Sequence, residues 1–152
     1  MSIEIGAVAP GFSGKNVDDK VVSLSDFRGR KNVFVVFYFA DFSPVCSTQL
    51  TNYHRELDGF ASRDTQVIAI SRDSGWSHKA FCDSLGGIDY PVLSDLDLKI
   101  AGDYGISLSS GANNRAEFLV DKEGIIRWMN VEETPGNDTP TMDDIFKAID
   151  NI

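Results

Sequence analysis

The stretch that most restricts how this chain can fold is the apolar run NVFVVFYFA at residues 32–40. The run is rich in valine and aromatic side chains, and a short continuous run of this kind predicts a β-strand that is buried on both faces. The chain has 152 residues, which is long enough for one domain, residues 1–152, with an apolar core that needs no disulfide or metal.

Alternating patterns of strand and helix follow this run. We expect a helix at 43–62, a strand at 65–73, a helix at 74–87, an extended segment at 90–95, a short helix at 96–106, a β-hairpin at 115–132 and a closing helix at 140–152. The punctuated segment before the run predicts a hairpin or an extended arm. This order predicts an α/β fold with a central mixed sheet, in which chemistry gathers where strands end and helices begin.

Composition narrows the range of partners. The chain carries 14 basic and 23 acidic residues, a net charge of −9, so we expect neither nucleic acid nor an anionic membrane surface as a partner. No apolar stretch approaches the roughly 18 residues of a membrane span, and the first residues do not form a secretory signal. We therefore expect a cytoplasmic protein. Its two cysteines form neither a disulfide framework nor a C-x-x-C pair, and no metal site is expected.

One of these cysteines lies where the first central strand gives way to a helix. Ser43 is a suitable N-cap and Pro44 suits the first helical position, which puts Cys46 in the first turn. Amides without helical partners and the positive end of the helix dipole favour a reactive thiolate there and can hold an oxyanion. The alternative is that Cys46 is a small buried apolar residue. His54 lies about 12 Å along the same helix, so it cannot act as the base for this thiol.

The residues around Cys46 also resemble a known motif. Ser43 stands where a thioredoxin-type site would have its first cysteine, which excludes dithiol exchange. The stretch FYFADFSPVCSTQ is similar to the peroxidatic motif of the peroxiredoxins, the AhpC/TSA superfamily of thiol peroxidases, written P-x-x-x-T/S-x-x-C. The likeness extends over GAVAPGF, VIAISRDSGWSHKAF and NNRAEFLVDKEGIIRW. It implies a thioredoxin-like fold, a hydroxyl role for Ser43, the peroxidatic role for Cys46 and the active-site arginine at Arg115.

The resemblance further implies how a peroxide would be handled. Arg115 would stabilise the thiolate by its charge and, with Ser43 and the helix-start amides, would donate to the peroxide oxygens. We expect Val45, Phe39 and Gln49 to contact the substrate. Two of these positions depart from the family pattern, because Phe39 replaces the motif proline and Gln49 stands where many relatives carry a glutamate that orients the arginines.

The second cysteine, Cys82, is interpreted through the same resemblance. A resolving cysteine lies on the corresponding helix in single-chain, atypical two-cysteine members of the family, which are called PrxQ-like or bacterioferritin-comigratory-protein-like. This resemblance implies a Cys46–Cys82 disulfide. It also implies that thioredoxin or a similar dithiol recycles the enzyme. The alternatives are a structural Cys82 in a one-cysteine enzyme, a slow redox sensor or binding module, and a domain with inert cysteines. His78, one turn before Cys82, is expected to face solvent. No cofactor is implied, and the protein is expected to be a monomer or a homodimer.

Overall fold

The computed structural model describes residues 3–134 and 137–152. The strands are β1 (Ser13–Lys15), β2 (Val21–Ser23), β3 (Asn32–Phe37), β4 (Thr65–Ser71), β5 (Val92–Ser94), β6 (Ala116–Val120) and β7 (Ile126–Val131). The helices are α1 (Pro44–Arg55), α2 (Leu57–Ala61), α3 (Gly75–Ser84), α4 (Lys99–Asp103) and α5 (Met142–Asp150), and a 3₁₀ turn spans Leu24–Phe27. Within these residues, no helix has both the length and the apolar character needed to cross a membrane.

The central sheet is mixed and has the strand order β5-β4-β3-β6-β7. β3 pairs in parallel with β4, and β4 with β5, whereas β6 is antiparallel to both β3 and β7. All six residues of β3 are buried, as expected for a central strand with both faces covered. The predicted α/β fold with a mixed sheet is therefore confirmed, and β1 and β2 form the N-terminal hairpin.

Two apolar layers cover the two faces of the sheet. One layer joins Val35 and Phe37 of β3 to the 3₁₀ turn and α4. The other joins Phe34 and Val36 of the same strand to α1, α2, α3 and α5. Because side chains alternate along a strand, one apolar run supplies both layers. The helices that carry the two cysteines, α1 and α3, therefore lie on the same face of the sheet.

The single helix predicted for residues 43–62 is divided into α1 and α2. Glu56 adopts φ −102° and ψ 16°, which ends α1. In α2, Gly59 lies against α5 so closely that a Cβ there would be 2.7 Å from the Phe146 ring. Tyr53 in α1 and Leu57 in α2 keep a helical spacing across the division, which is why the apolar pattern does not reveal it.

Candidate active site

Cys46 lies in the first turn of α1, directly after the loop that leaves β3. Ser43 is the N-cap, with φ −63° and ψ 130°, and Pro44 is the first helical residue. The Ser47 amide makes an early helical hydrogen bond, donating to the Ser43 carbonyl at 2.8 Å. The Ser43 hydroxyl does not cap the helix, which leaves it available to another acceptor or donor. The Cys46 thiol itself is fully buried.

Arg115, immediately before β6, is the residue that contacts the thiol. Its Nη1 donates to Cys46 Sγ at 2.9 Å, and its Nη2 donates to Gln49 Oε1 at 2.5 Å and to Thr139 Oγ1 at 3.3 Å. Its Nε donates to Glu132 Oε1 at 3.1 Å. Burial alone would lower the pKa of the Arg115 guanidinium, but the negative charges of Cys46 and Glu132 outweigh burial and raise it above its usual value.

Two buried glutamates behind Arg115 were not predicted from the sequence. Glu132, just past β7, is nearly inaccessible and also accepts a hydrogen bond from Thr139 Oγ1 at 2.9 Å. Glu117 in β6 is fully buried, and its Oε1 accepts from Asn130 Nδ2 at 3.0 Å. Burial, together with the neighbouring Glu132 carboxyl, raises the pKa of Glu117 to about 9. The available signal was an acidic residue inside the otherwise apolar strand AEFLV.

An open cleft of about 510 Å³ adjoins this arrangement. Gln49 and Arg115 line it, together with Val45 at its α1 side and Met142 at its α5 side. Gln49 and Arg115 are hydrogen-bonded to each other, and Arg115 also donates to Cys46. The cleft therefore leads from the surface to groups in contact with the thiol.

Two of the three predicted substrate contacts, Val45 and Gln49, line this cleft. Val45 is 47% exposed there. Phe39 is 43% exposed, and it is not among the described residues that line the cleft. The neighbouring Phe42 adopts a positive φ of 66° and packs its ring 5.3 Å from that of Phe81 in α3. The loop before Cys46 therefore packs against α3 through this ring contact.

Cys82 lies on α3 in the same apolar layer as Cys46, and both thiols are free. Burial, together with the nearby charges of Asp41 and Asp83, raises the pKa of the Cys82 thiol to about 11. A thiol with this pKa is almost entirely protonated at neutral pH, and only a thiolate attacks efficiently. Cys82 therefore needs a change of environment before it can react.

The expectation that His78 faces solvent is wrong. Its ring is fully buried, because it lies on the face of α3 that also carries Phe81 and Cys82. Its Nε2 donates to the Leu93 carbonyl at 3.0 Å, and its Nδ1 lies 2.8 Å from Asp41 Oδ2. Each ring nitrogen faces an acceptor, an arrangement that the protonated imidazolium satisfies. The pair joins α3 to the loop before Cys46.

One group of side chains in this loop region has the composition of a metal site. Asp41, Asp73 and His78 place one ligand-type atom each within 4.8 Å of one another. All three are already hydrogen-bonded within the protein: Asp41 accepts from the Tyr38 and Ser77 hydroxyls, and Asp73 accepts from the Asp41 amide. These hydrogen bonds are enough to hold the three side chains together without a shared metal ion.

A thiol in the first turn of the helix after a central strand, held by a buried arginine, defines a thiol-based enzyme. Residues 5–129 match the model of the AhpC/TSA family, and the chain belongs to that family. The chain is 37% identical over 145 residues to peroxiredoxin tpx1 of Schizosaccharomyces pombe, covering 89% of this chain and 75% of the relative. It is 35% identical over 145 residues, with the same two coverages, to a thioredoxin peroxidase of Echinococcus granulosus.

Solved structures agree with the fold. The reduced 2-Cys peroxiredoxin of Plasmodium vivax superposes with a TM-score of 0.86 at 29% identity, over 96% of this chain and 80% of that one. Peroxidoxin BcpB of Mycobacterium tuberculosis superposes with a TM-score of 0.88 over 99% of both chains, and at 20% identity it supports the fold alone. The predicted thioredoxin-like fold is confirmed, and the protein is an enzyme of the peroxiredoxin type. The narrower PrxQ-like assignment is not confirmed by these matches.

Proposed function

We propose that this protein is a thiol-dependent peroxidase that reduces hydrogen peroxide and organic hydroperoxides at Cys46. The observation that carries the proposal is the 2.9 Å contact from Arg115 Nη1 to the fully buried Cys46 Sγ. A buried guanidinium stabilises the thiolate, which is the nucleophilic form of cysteine. The names of the relatives, peroxiredoxin and thioredoxin peroxidase, support the same chemistry.

The reaction begins with attack of the Cys46 thiolate on one peroxide oxygen. The O–O bond breaks, its electron pair leaves with the distal oxygen, and that oxygen takes up a proton to become water or an alcohol. Cys46 retains the proximal OH as a sulfenic acid. Donors must stabilise the charge that develops on the leaving oxygen. In this proposal, the Ser43 hydroxyl, the Val45 and Cys46 amides and Arg115 supply these donors.

Arg115 retains a donor for this purpose. A guanidinium has five N–H groups, and the four hydrogen bonds described above engage Nε, one Nη1 hydrogen and both Nη2 hydrogens. The remaining Nη1 hydrogen lies next to the one that meets Cys46 Sγ. One nitrogen can therefore serve both the attacking sulfur and a peroxide oxygen.

Resolution of the sulfenic acid would proceed through Cys82. Its thiolate attacks the Cys46 sulfur, hydroxide leaves as water after taking a proton, and a disulfide forms. Both thiols are buried in separate helices, so α1 or α3 must unwind locally to bring their Cα atoms within about 7 Å. A thioredoxin-type dithiol would then reduce the disulfide. This cycle is that of a cytoplasmic, PrxQ-like monomer or homodimer without a cofactor.

Two alternatives keep the same fold. A one-cysteine enzyme would leave Cys82 as a structural residue, and its burial and raised pKa favour this version. A slow redox sensor is favoured by the complete burial of Cys46 and by the exposed position of Phe39, where the family has its motif proline.

Mass analysis after peroxide treatment tests the proposal. We expect one equivalent of hydrogen peroxide to convert the reduced protein to an intramolecular Cys46–Cys82 disulfide. A Cys82→Ser variant should accumulate sulfenic and sulfinic forms at Cys46, and a Cys46→Ser variant should stay reduced. An intact Cys82 thiol in the oxidised wild type would reject the resolving role, and an unmodified Cys46 would reject the peroxidase.

A further inference from the structure

We propose that Glu117 is a positioning residue for Arg115. It stays protonated in the working enzyme and donates a hydrogen bond to Glu132. Glu132 is then the only ionised carboxylate of the pair, and it presents one negative charge to the guanidinium. The effect on the reaction rate rests on the proposed peroxidase function. The protonation itself does not, and it can be measured separately.

The surroundings of Glu117 favour its protonated form. Glu117 is fully buried in the middle of β6, paired with Val36 of β3 and Asn130 of β7. Its Oε1 accepts from the Asn130 amide, while its Oε2 is buried and meets no N–H or hydroxyl donor among the described residues. Glu132 lies two residues beyond Asn130, on the same face of the β6–β7 hairpin, and interacts with the Glu117 carboxyl. Two carboxylates are both acceptors, so the two side chains can share a hydrogen bond only when one of them is protonated.

The proton belongs on Glu117 rather than on Glu132. Glu132 accepts from the Arg115 cation at 3.1 Å and from the Thr139 hydroxyl at 2.9 Å, and both contacts favour its ionised form. Glu117 receives only a neutral amide from another residue. Burial also raises the pKa of Glu117 to about 9, consistent with this assignment.

The titratable groups that face Glu117 come from three elements. Glu132 approaches from the end of β7, Arg115 from the start of its own strand and the Tyr53 phenol from α1. Burial raises the pKa of Tyr53 above its usual value, so this phenol stays neutral and adds no charge. The proton on Glu117 therefore sets the charge of this cluster over the neutral and mildly alkaline range.

The position of that proton matters because Arg115 serves two negative partners. With Glu117 neutral, the guanidinium is balanced by the Cys46 thiolate and by Glu132. Its α1 partner is Gln49, which holds Nη2 without adding a charge. Loss of the Glu117 proton would place a second carboxylate against Glu132, and the two would repel each other. That repulsion would disturb the anchor of Arg115 and weaken its hold on the thiolate.

Infrared spectroscopy of the reduced protein tests the protonation directly. At neutral pH the wild type should show the carbonyl stretch of one protonated carboxylic acid, and Glu117→Gln should lack it, since ordinary carboxylates are ionised there. Absence of the band in the wild type, or its persistence in the variant, would overturn the proposal. This measurement does not involve peroxide, so it stands whether or not Cys46 proves to be peroxidatic.

The pH profile of Cys46 oxidation tests the positioning role. Glutamine keeps an N–H for Glu132 and an oxygen for Asn130, so Glu117→Gln should match the wild-type rate at neutral pH. Near pH 10 the oxidation rate of the wild type should fall up to about tenfold below that of Glu117→Gln. A group that titrates near pH 9 is about tenfold more ionised than protonated at pH 10. Glu117→Leu, which lacks the donor, should be slow throughout. The positioning role would be overturned if wild type and Glu117→Gln had the same pH profile of oxidation rate, or if Glu117→Leu were oxidised rapidly. A wild type that is oxidised slowly at every pH would instead count against the peroxidase function.

Discussion

The buried proton on Glu117 also links the stability of the fold to pH. Its pKa rises from the ordinary 4.5 to about 9, so the folded chain holds a proton that the unfolded chain releases between those values. The stabilisation is complete below the unfolded pKa and is lost as pH rises through the folded one. Between these two pKa values, the ionisation of Glu117 should therefore lower the free energy of unfolding by about 1.4 kcal/mol for each pH unit. Glu117→Gln removes that dependence.

The difference between the two proteins isolates Glu117 from every other titrating group. From about pH 5 to about pH 8, the stability of Glu117→Gln relative to wild type should grow by about 4 kcal/mol, measured by urea unfolding with a thiol reductant present. Glu123→Gln, an exposed glutamate in the same hairpin, is the matched control and should show no such trend. A stability difference that stays constant with pH would refute the reasoning, because it would mean that Glu117 ionises normally in the fold.

Two further substitutions test the contacts on either side of Cys46. Arg115→Leu should move the thiolate absorbance titration of Cys46 to higher pH, whereas Arg115→Lys keeps a charge and should move it less; an unchanged titration in the leucine variant would remove Arg115 from the site. His78→Asn should leave Asp41 buried without its partner, lower the free energy of unfolding by about 3 kcal/mol and speed alkylation of Cys82 as α3 loosens. Unchanged alkylation would show that this pair does not restrain the helix.

The succession of strands and helices along the chain and the position of Cys46 were accessible from sequence because local signals specify them. A continuous apolar run can satisfy both faces of a central strand, and a Ser-Pro pair begins a helix at one place. The division of the helix at Glu56 was not accessible in this way. The apolar spacing continues across it, and the close contact between Gly59 and Phe146 depends on where α5 packs.

The network behind Cys46 shows where sequence reasoning ends. The contact from Arg115 to the thiol was expected only through family resemblance, since nothing local distinguishes that arginine from a surface one. Glu132 meets Arg115 only after the β6–β7 hairpin has folded, and His78 meets Asp41 only after α3 packs on the sheet. Each of these polar groups is buried with a partner distant in sequence, so its environment is decided by topology and not by its neighbours in the chain.

The central claim is that Cys46 is a peroxide-reactive thiolate held by Arg115. Rapid mixing of the reduced protein with hydrogen peroxide, followed by quenching and mass analysis of Cys46, measures this most directly. We predict oxidation far faster than that of free cysteine at the same pH, abolished by Cys46→Ser and strongly slowed by Arg115→Leu. A rate no greater than that of free cysteine would contradict the account.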